Sequence, residues 1–177
     1  MTLSEGTGTM EMFAVHPSED DPFPAVVIFM DDTKALLAFL DENQPVKRGG
    51  MGSIGYCMCG RHVFRAAAHF PDRFQASASL HGTELVTDSK DSPHLAKTII
   101  GELYCGFGEN DRHTPDATID AIDRAMRSRD ARYRREIHKN AEHGYTLPDR
   151  HVYDKAAANC DWERIFAMFQ RRIPRHS

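Results

Sequence analysis

The strongest constraint on this chain is the segment at residues 55–60, Gly-Tyr-Cys-Met-Cys-Gly. Residues 52–54 precede it like the end of a short strand, and residues 61–70 follow it with apolar side chains on one helical face. A nucleophile between small residues, with a strand before it and a helix after it, is typical of a nucleophile elbow. The turn pushes the side chain of Cys57 outward, and the adjacent helix N-terminus favours its thiolate. The segment therefore predicts a strand, a sharp turn that exposes Cys57, and a helix.

Two further polar side chains follow strand-like segments later in the chain. Asp111 comes after a predicted strand at residues 102–107, and His143 comes after a predicted strand at residues 133–138. A nucleophile, then an acid, then a histidine, each just past a strand, is the chain order of the α/β-hydrolase triad. We therefore predict that Cys57, Asp111 and His143 form a catalytic triad.

These motifs resemble those of the dienelactone hydrolase family. That family carries Gly-Tyr-Cys-x-Gly-Gly at its elbow, an aspartate in a Gly-x-x-Asp turn, and a histidine in a turn of small residue, His, Gly and aromatic residue. The matching positions here are Cys57, Asp111 and His143, while Cys59 stands where the family has glycine. The resemblance covers about residues 8–173. It implies a hydrolase that cleaves small carboxylic esters or lactones, similar to dienelactones, through an acyl-enzyme.

The resemblance also implies further site residues. The amide of Met58, directly after the nucleophile, is expected to donate to the oxyanion. Asp31 aligns with an acidic residue that family members hold near the nucleophile. His81 follows a predicted strand at residues 74–80 and lies near the expected site. Two tyrosines belong to the motifs around the nucleophile and the histidine. We expect the substrate to contact Asp31, Tyr56, His81 and Tyr145.

The fold class follows from the alternation of strands and helices from Ala25 onward. Residues 25–30 are a continuous apolar run, as expected of a parallel strand that is covered on both faces. We predict an α/β fold, with a mainly parallel α/β-hydrolase-like sheet and helices on both faces, in one domain at residues 1–177. The inward stripe of the last helix is predicted to contain Tyr153, Ala156, Ala157, Cys160, Phe166, Phe169 and Ile173.

Compared with the family, the chain lacks a segment after the strand at residues 25–30. In full-length members a loop, a helix, another strand and a long connection follow that strand, whereas here Asp31 leads directly into the helix that begins near Asp32. At least one helix-strand unit, about 30 residues, is therefore missing. Residues 32–49 remain long enough to connect two neighbouring parallel strands. The shortened loop is the one that supplies an oxyanion donor in the family, which leaves Met58 as the predicted donor.

Composition excludes some classes of function. A net charge of −4 gives no reason to expect nucleic acid as a partner, and the longest apolar run is far shorter than the about 20 residues that span a bilayer. The four cysteines form no zinc-type pair or dense disulfide framework. We expect a cytoplasmic protein with a small-molecule ester or lactone as its partner and with no metal or organic cofactor.

Alternative interpretations remain open. The chain could be a catalytically inactive, shortened relative that acts through binding or has no function. It could also use Cys57 and Cys59 in thiol redox chemistry, although one intervening residue strains a disulfide. Residues 50–55 match the dinucleotide pattern Gly-x-Gly-x-x-Gly, but no helix opens within them, so we interpret them as a loop.

Overall fold

The computed structural model describes residues 2–5, 8–11, 26–28, 33–42, 49–88, 92, 98–127 and 132–174. Within them lie seven strands and four helices. The strands are β1 (Thr2–Glu5), β2 (Gly8–Glu11), β3 (Val26–Ile28), β4 (Met51–Tyr56), β5 (Phe74–Leu80), β6 (Glu102–Gly108) and β7 (Tyr133–His138). The helices are α1 (Thr33–Glu42), α2 (Cys59–His69), α3 (Asp116–Arg127) and α4 (Lys155–Arg172).

Five of the strands form one parallel sheet in the order β3-β4-β5-β6-β7. All four neighbouring pairs are parallel. The predicted connection between neighbouring parallel strands is confirmed, because Val26 pairs with Gly52 and Ile28 pairs with Ile54. β1 and β2 form a separate antiparallel pair.

Helices cover both faces of the sheet, as predicted. On one face Leu103 and Phe107 of β6 belong to a buried cluster with side chains of α1, α2 and α3. On the other face Tyr104 of β6 joins a cluster with Ile165 and Met168 of α4. The alternation along β6 follows from the strand period of two, and burying each large apolar side chain contributes about 1.5–3 kcal/mol. The α/β-hydrolase-like fold class is therefore confirmed.

The parallel arrangement determines where a site can form. The carboxyl ends of parallel strands lie at the same edge of a sheet, where crevices bind ligands. Cys57 directly follows β4 and His81 directly follows β5. Asp111 and His143 lie in the turns after β6 and β7. The topology alone therefore brings these four side chains to one edge.

Two sequence predictions are wrong in this structure. The interpretation of residues 50–55 as a loop is wrong, because residues 51–55 are buried in β4. The prediction that residues 52–54 end a strand agrees with the structure instead. The predicted stripe of α4 is wrong at Ala156 and Phe166, which are both exposed, because the helix turns a different face toward the sheet. The residues of α4 that are buried are Ala157, Ala158, Asp161, Ile165 and Met168.

No helix in the described ranges is both long and apolar enough to cross a membrane. The predicted site residue Asp31 lies outside the described residues.

Candidate active site

Cys57 occupies a sharp turn between β4 and α2. Its φ of +53° is in the left-handed region, which residues other than glycine rarely adopt. Three backbone hydrogen bonds hold this conformation. The Cys57 amide donates to Leu80 O at 3.1 Å, while the Cys57 carbonyl accepts from the amides of Gly60 and Thr83, both at 3.0 Å. The surrounding backbone thus fixes a conformation that is strained for a cysteine.

Small residues make this turn possible. A Cβ on Gly55 would lie 2.3 Å from the carbonyl oxygen of Cys59, and a Cβ on Gly60 would lie 2.6 Å from the Cα of Gly82. Both distances are shorter than any real contact, so strand and helix approach as closely as they do only with glycine at these positions. The small residues around Cys57 are therefore needed for this close packing.

The three predicted triad side chains form a continuous chain of contacts. Asp111 Oδ2 accepts from His143 Nδ1 at 2.8 Å, and His143 Nε2 lies 3.1 Å from Cys57 Sγ. The second carboxylate oxygen of Asp111 accepts from the amide of His113 at 2.9 Å. Asp111 is 4% exposed, so its carboxylate is held by these donors rather than by water. The arrangement can orient the imidazole and move a proton to or from the thiol.

Two more histidines pack against His143. The His81 ring is 4.9 Å from the His143 ring at an interplanar angle of 76°, and the His113 ring is 4.7 Å away at 61°. Both are edge-to-face contacts, which aromatic rings prefer. Together with Asp111 they restrict the rotation of His143. The sequence did not identify His113, since an exposed histidine in a turn carries no local signal.

His81 is fully buried behind His143. Its Nε2 lies 2.7 Å from Thr146 Oγ1. Burial, followed by the charge of His143, lowers the pKa of His81 to about 4, so the ring is neutral at pH 7. Its Nδ1 has no hydrogen-bond partner among the described residues. The structure therefore places His81 as a packing partner of His143, without access to solvent.

The two tyrosines of the motifs differ in exposure. Tyr145 is fully buried, and its hydroxyl donates to Asp161 at 2.6 Å. Tyr56 is half-buried, with its ring 6.0 Å from that of His81. Burial, with a contribution from the charge of Asp161, raises the pKa of Tyr56, so its hydroxyl stays protonated. Of the two, only Tyr56 is accessible to a substrate in this conformation.

Met58 is the N-cap of α2, with its side chain 53% exposed. Its N–H makes no hydrogen bond within the part of the chain that the structure describes. Unpaired amides at a helix N-terminus attract negative charge, so the Met58 N–H can donate a hydrogen bond to an oxyanion next to Cys57.

Asp161 is a buried acidic residue that the sequence analysis did not single out. It lies on α4, and its carboxylate accepts from Tyr104 and Tyr145 and contacts His138, each at 2.6 Å. The sequence contains one weak signal for this position. Asp161 directly follows Cys160, which belongs to the predicted inward stripe of the last helix. Its partners come from β6, from β7 and from the turn that contains His143 (residues 141–147, the His143 turn). No local sequence pattern reveals these partners.

Comparisons with known proteins agree with the fold and the motifs. The model of the dienelactone hydrolase family matches residues 26–173. A candidate carboxymethylenebutenolidase of Synechocystis sp. is 27% identical over 148 residues, which is 81% of this chain and 59% of that protein. A candidate carboxymethylenebutenolidase of Escherichia coli is 24% identical over 120 residues, which is 66% of this chain and 44% of that protein. The chain thus spans about half the length of these curated relatives.

Solved structures give the same fold. A candidate dienelactone hydrolase from Klebsiella pneumoniae superimposes with a TM-score of 0.68 at 22% identity, covering 78% of this chain and 58% of that one. A dienelactone hydrolase-like promiscuous phosphotriesterase from metagenomic libraries gives 0.69 at 21% identity, covering 79% and 59%. At these sequence identities the structural similarity is evidence for the fold only. Because the family model matches most of its length, residues 26–173, this chain belongs to the dienelactone hydrolase family.

Proposed function

We propose that the chain hydrolyses small carboxylic esters or lactones through a thioester formed on Cys57. One observation carries the proposal: Asp111, His143 and Cys57 are in contact at 2.8 Å and 3.1 Å directly above a strand-turn-helix. A thiol, a base and an orienting acid in this geometry are what acyl transfer needs. Family membership supports the same chemistry.

In the first half-reaction the Cys57 sulfur attacks the carbonyl carbon, and a C–S bond forms as the carbonyl π electrons move to oxygen. The Met58 N–H donates to that oxyanion. When the carbonyl re-forms, the ester C–O bond breaks, and the leaving alkoxide takes the proton that His143 received from the thiol. Asp111 accepts from Nδ1 throughout, which keeps Nε2 directed at the sulfur.

In the second half-reaction His143 removes a proton from water, and the resulting hydroxide attacks the thioester carbonyl. The C–S bond then breaks, the acid leaves, and the thiolate re-forms beside the protonated imidazole. No metal or organic cofactor enters this scheme. Tyr56 is the residue proposed to contact the substrate, because it is half-buried directly before the nucleophile.

The test is hydrolysis of p-nitrophenyl acetate and of a small lactone by wild type and Cys57→Ala. We expect Cys57→Ala to lower kcat at least about 10³-fold, as removal of a nucleophile does. Cys59→Ser is the matched control, because it changes a cysteine two residues away and should keep most of the activity. Equal rates for wild type and Cys57→Ala would contradict the proposal. Loss of activity in Cys59→Ser alone would also contradict the proposal, because it would make Cys59 rather than Cys57 the nucleophile.

A phosphotriester belongs in the same substrate panel, because one structural neighbour is a promiscuous phosphotriesterase. A wild type that hydrolyses nothing in the panel above background would favour the inactive, shortened relative.

A further inference from the structure

Asp161 connects α4 to the strands that carry the site. Its carboxylate is fully buried. Oδ1 accepts from the hydroxyl of Tyr104 on β6 and contacts Nε2 of His138 on β7, while Oδ2 accepts from the hydroxyl of Tyr145. All three distances are 2.6 Å, which is typical of hydrogen bonds to a charged acceptor. A buried carboxylate is stable only with such partners.

The hydroxyls of Tyr104 and Tyr145 remain hydrogen-bond donors to Asp161 over the whole physiological pH range. Burial raises the pKa of Tyr104 and of Tyr145, and the charge of Asp161 raises both further. Each hydroxyl therefore keeps its proton and can donate it to the carboxylate. The two hydrogen bonds are equal in length, and both tyrosines are buried.

Only one of these tyrosines is close to the triad in the chain. Tyr145 follows His143 by two residues, and its ring lies 5.6 Å from that of His81, which in turn packs against His143. The carbonyl of Tyr145 also accepts from the amide of Asp154, the N-cap of α4, at 2.9 Å. Both the hydroxyl and the backbone of Tyr145 are thus fixed to α4 or its cap.

We propose that Asp161 is a positioning residue, which holds the His143 turn in register with Cys57 through its hydrogen bond to Tyr145. The inference rests on the proposed function for its catalytic consequence. The carboxylate of Asp161 is fully buried, and its partners among the described residues are Tyr104, His138 and Tyr145 rather than a triad side chain. It acts by limiting the movement of residues 143–146, so that Nε2 of His143 stays 3.1 Å from the sulfur. A loss of about 1 Å in such alignment can cost about 10²-fold in rate.

Tyr145→Phe and Tyr104→Phe form a matched pair for the test. Each variant deletes one buried 2.6 Å hydrogen bond to the same carboxylate and keeps its ring. With p-nitrophenyl acetate, we expect Tyr145→Phe to lower kcat at least tenfold with KM within about twofold. Tyr104→Phe should keep kcat within about threefold, although urea unfolding should show a similar loss of stability. An equal fall of kcat in both variants, or an unchanged kcat in Tyr145→Phe, would overturn the proposal.

Amide hydrogen exchange tests the same contact without ester hydrolysis. The amides of Tyr145 and Leu147 donate to Glu142 O and Gly144 O within the His143 turn. We expect them to exchange at least tenfold faster in Tyr145→Phe than in Tyr104→Phe at matched global stability. Equal exchange would overturn the positioning role. An inactive wild type would overturn the proposed function, and the exchange comparison would then decide the role of Asp161 by itself.

Discussion

The carboxylate of Asp161 fills the space that Gly106 leaves by having no side chain. A Cβ on Gly106 would lie 2.8 Å from both carboxylate oxygens and 2.6 Å from the hydroxyl of Tyr145. Gly106 is on the face of β6 that α4 covers, at the strand that leads to Asp111. This position therefore requires glycine because a buried polar cluster occupies the site of its missing methyl group.

Gly106→Ala is expected to destabilise the protein by about 1–3 kcal/mol, the range for overpacking in a core. The added methyl must displace a carboxylate that three partners hold, so it cannot be accommodated by rotating one free side chain. Urea unfolding monitored by fluorescence measures the change. A loss of unfolding free energy below about 0.5 kcal/mol would show that Asp161 and its partners shift to accommodate the methyl group at little cost.

Gly55→Ala should disrupt the turn at Cys57. Its Cβ would lie 2.3 Å from a backbone oxygen, that of Cys59, which cannot move without shifting the start of α2. We expect a loss of stability above about 3 kcal/mol, or failure to fold, since strand and helix must separate. Gly50→Ala is the control, because the three atoms nearest to its Cβ belong to the side chain of Gln75 and not to the backbone. Similar losses in both variants would contradict this explanation of the elbow.

His81 should make stability depend on pH between about 4 and 6.5. Its pKa is about 4 in the folded protein against 6.5 for an ordinary histidine, so in this window the unfolded chain binds the proton and the folded one does not. Stability therefore falls as the pH drops from 6.5 to about 4. The full difference corresponds to roughly 3 kcal/mol.

His81→Asn should flatten this dependence, since asparagine does not titrate and tolerates the φ of +38° at this position. Unfolding free energies of wild type and variant at several pH values between 4.5 and 7 measure the effect. His151→Asn, which removes an exposed histidine, is the control. A wild-type slope that His81→Asn leaves unchanged would show that folding does not lower the pKa of His81.

Local patterns predicted the bounds of two strands. β5 and β7 begin and end at the predicted residues, 74–80 and 133–138, because each is a short apolar or alternating run between turn residues. The order of Cys57, Asp111 and His143 along the chain was enough to predict that their side chains meet, because parallel strands end at one edge. These features depend on residues that are close in sequence.

The parts that the sequence did not predict depend on contacts between distant residues. Asp161 is buried only because Tyr104, His138 and Tyr145 reach it from other elements. The search for a stripe of apolar residues along α4 cannot identify a buried aspartate. It therefore predicted that Phe166 faces the sheet, although Phe166 is exposed and Asp161 is buried. The glycine pattern at residues 50–55 favoured a loop, although residues 52–54 were also predicted to end a strand. These glycines allow a central strand whose neighbours approach closely.

The most direct test of the account is the reactivity of Cys57 toward iodoacetamide in wild type and His143→Ala, at pH 6.5 and pH 9. Tandem mass spectrometry separates alkylation of Cys57 from that of Cys59. An ordinary thiol reacts about two orders of magnitude more slowly at pH 6.5 than at pH 9. The account predicts that wild-type Cys57 reacts at pH 6.5 within about threefold of its rate at pH 9, and that His143→Ala restores the ordinary ratio. An ordinary ratio in both proteins would show that the contact between His143 and Cys57 does not activate the thiol, and would contradict the proposed hydrolase.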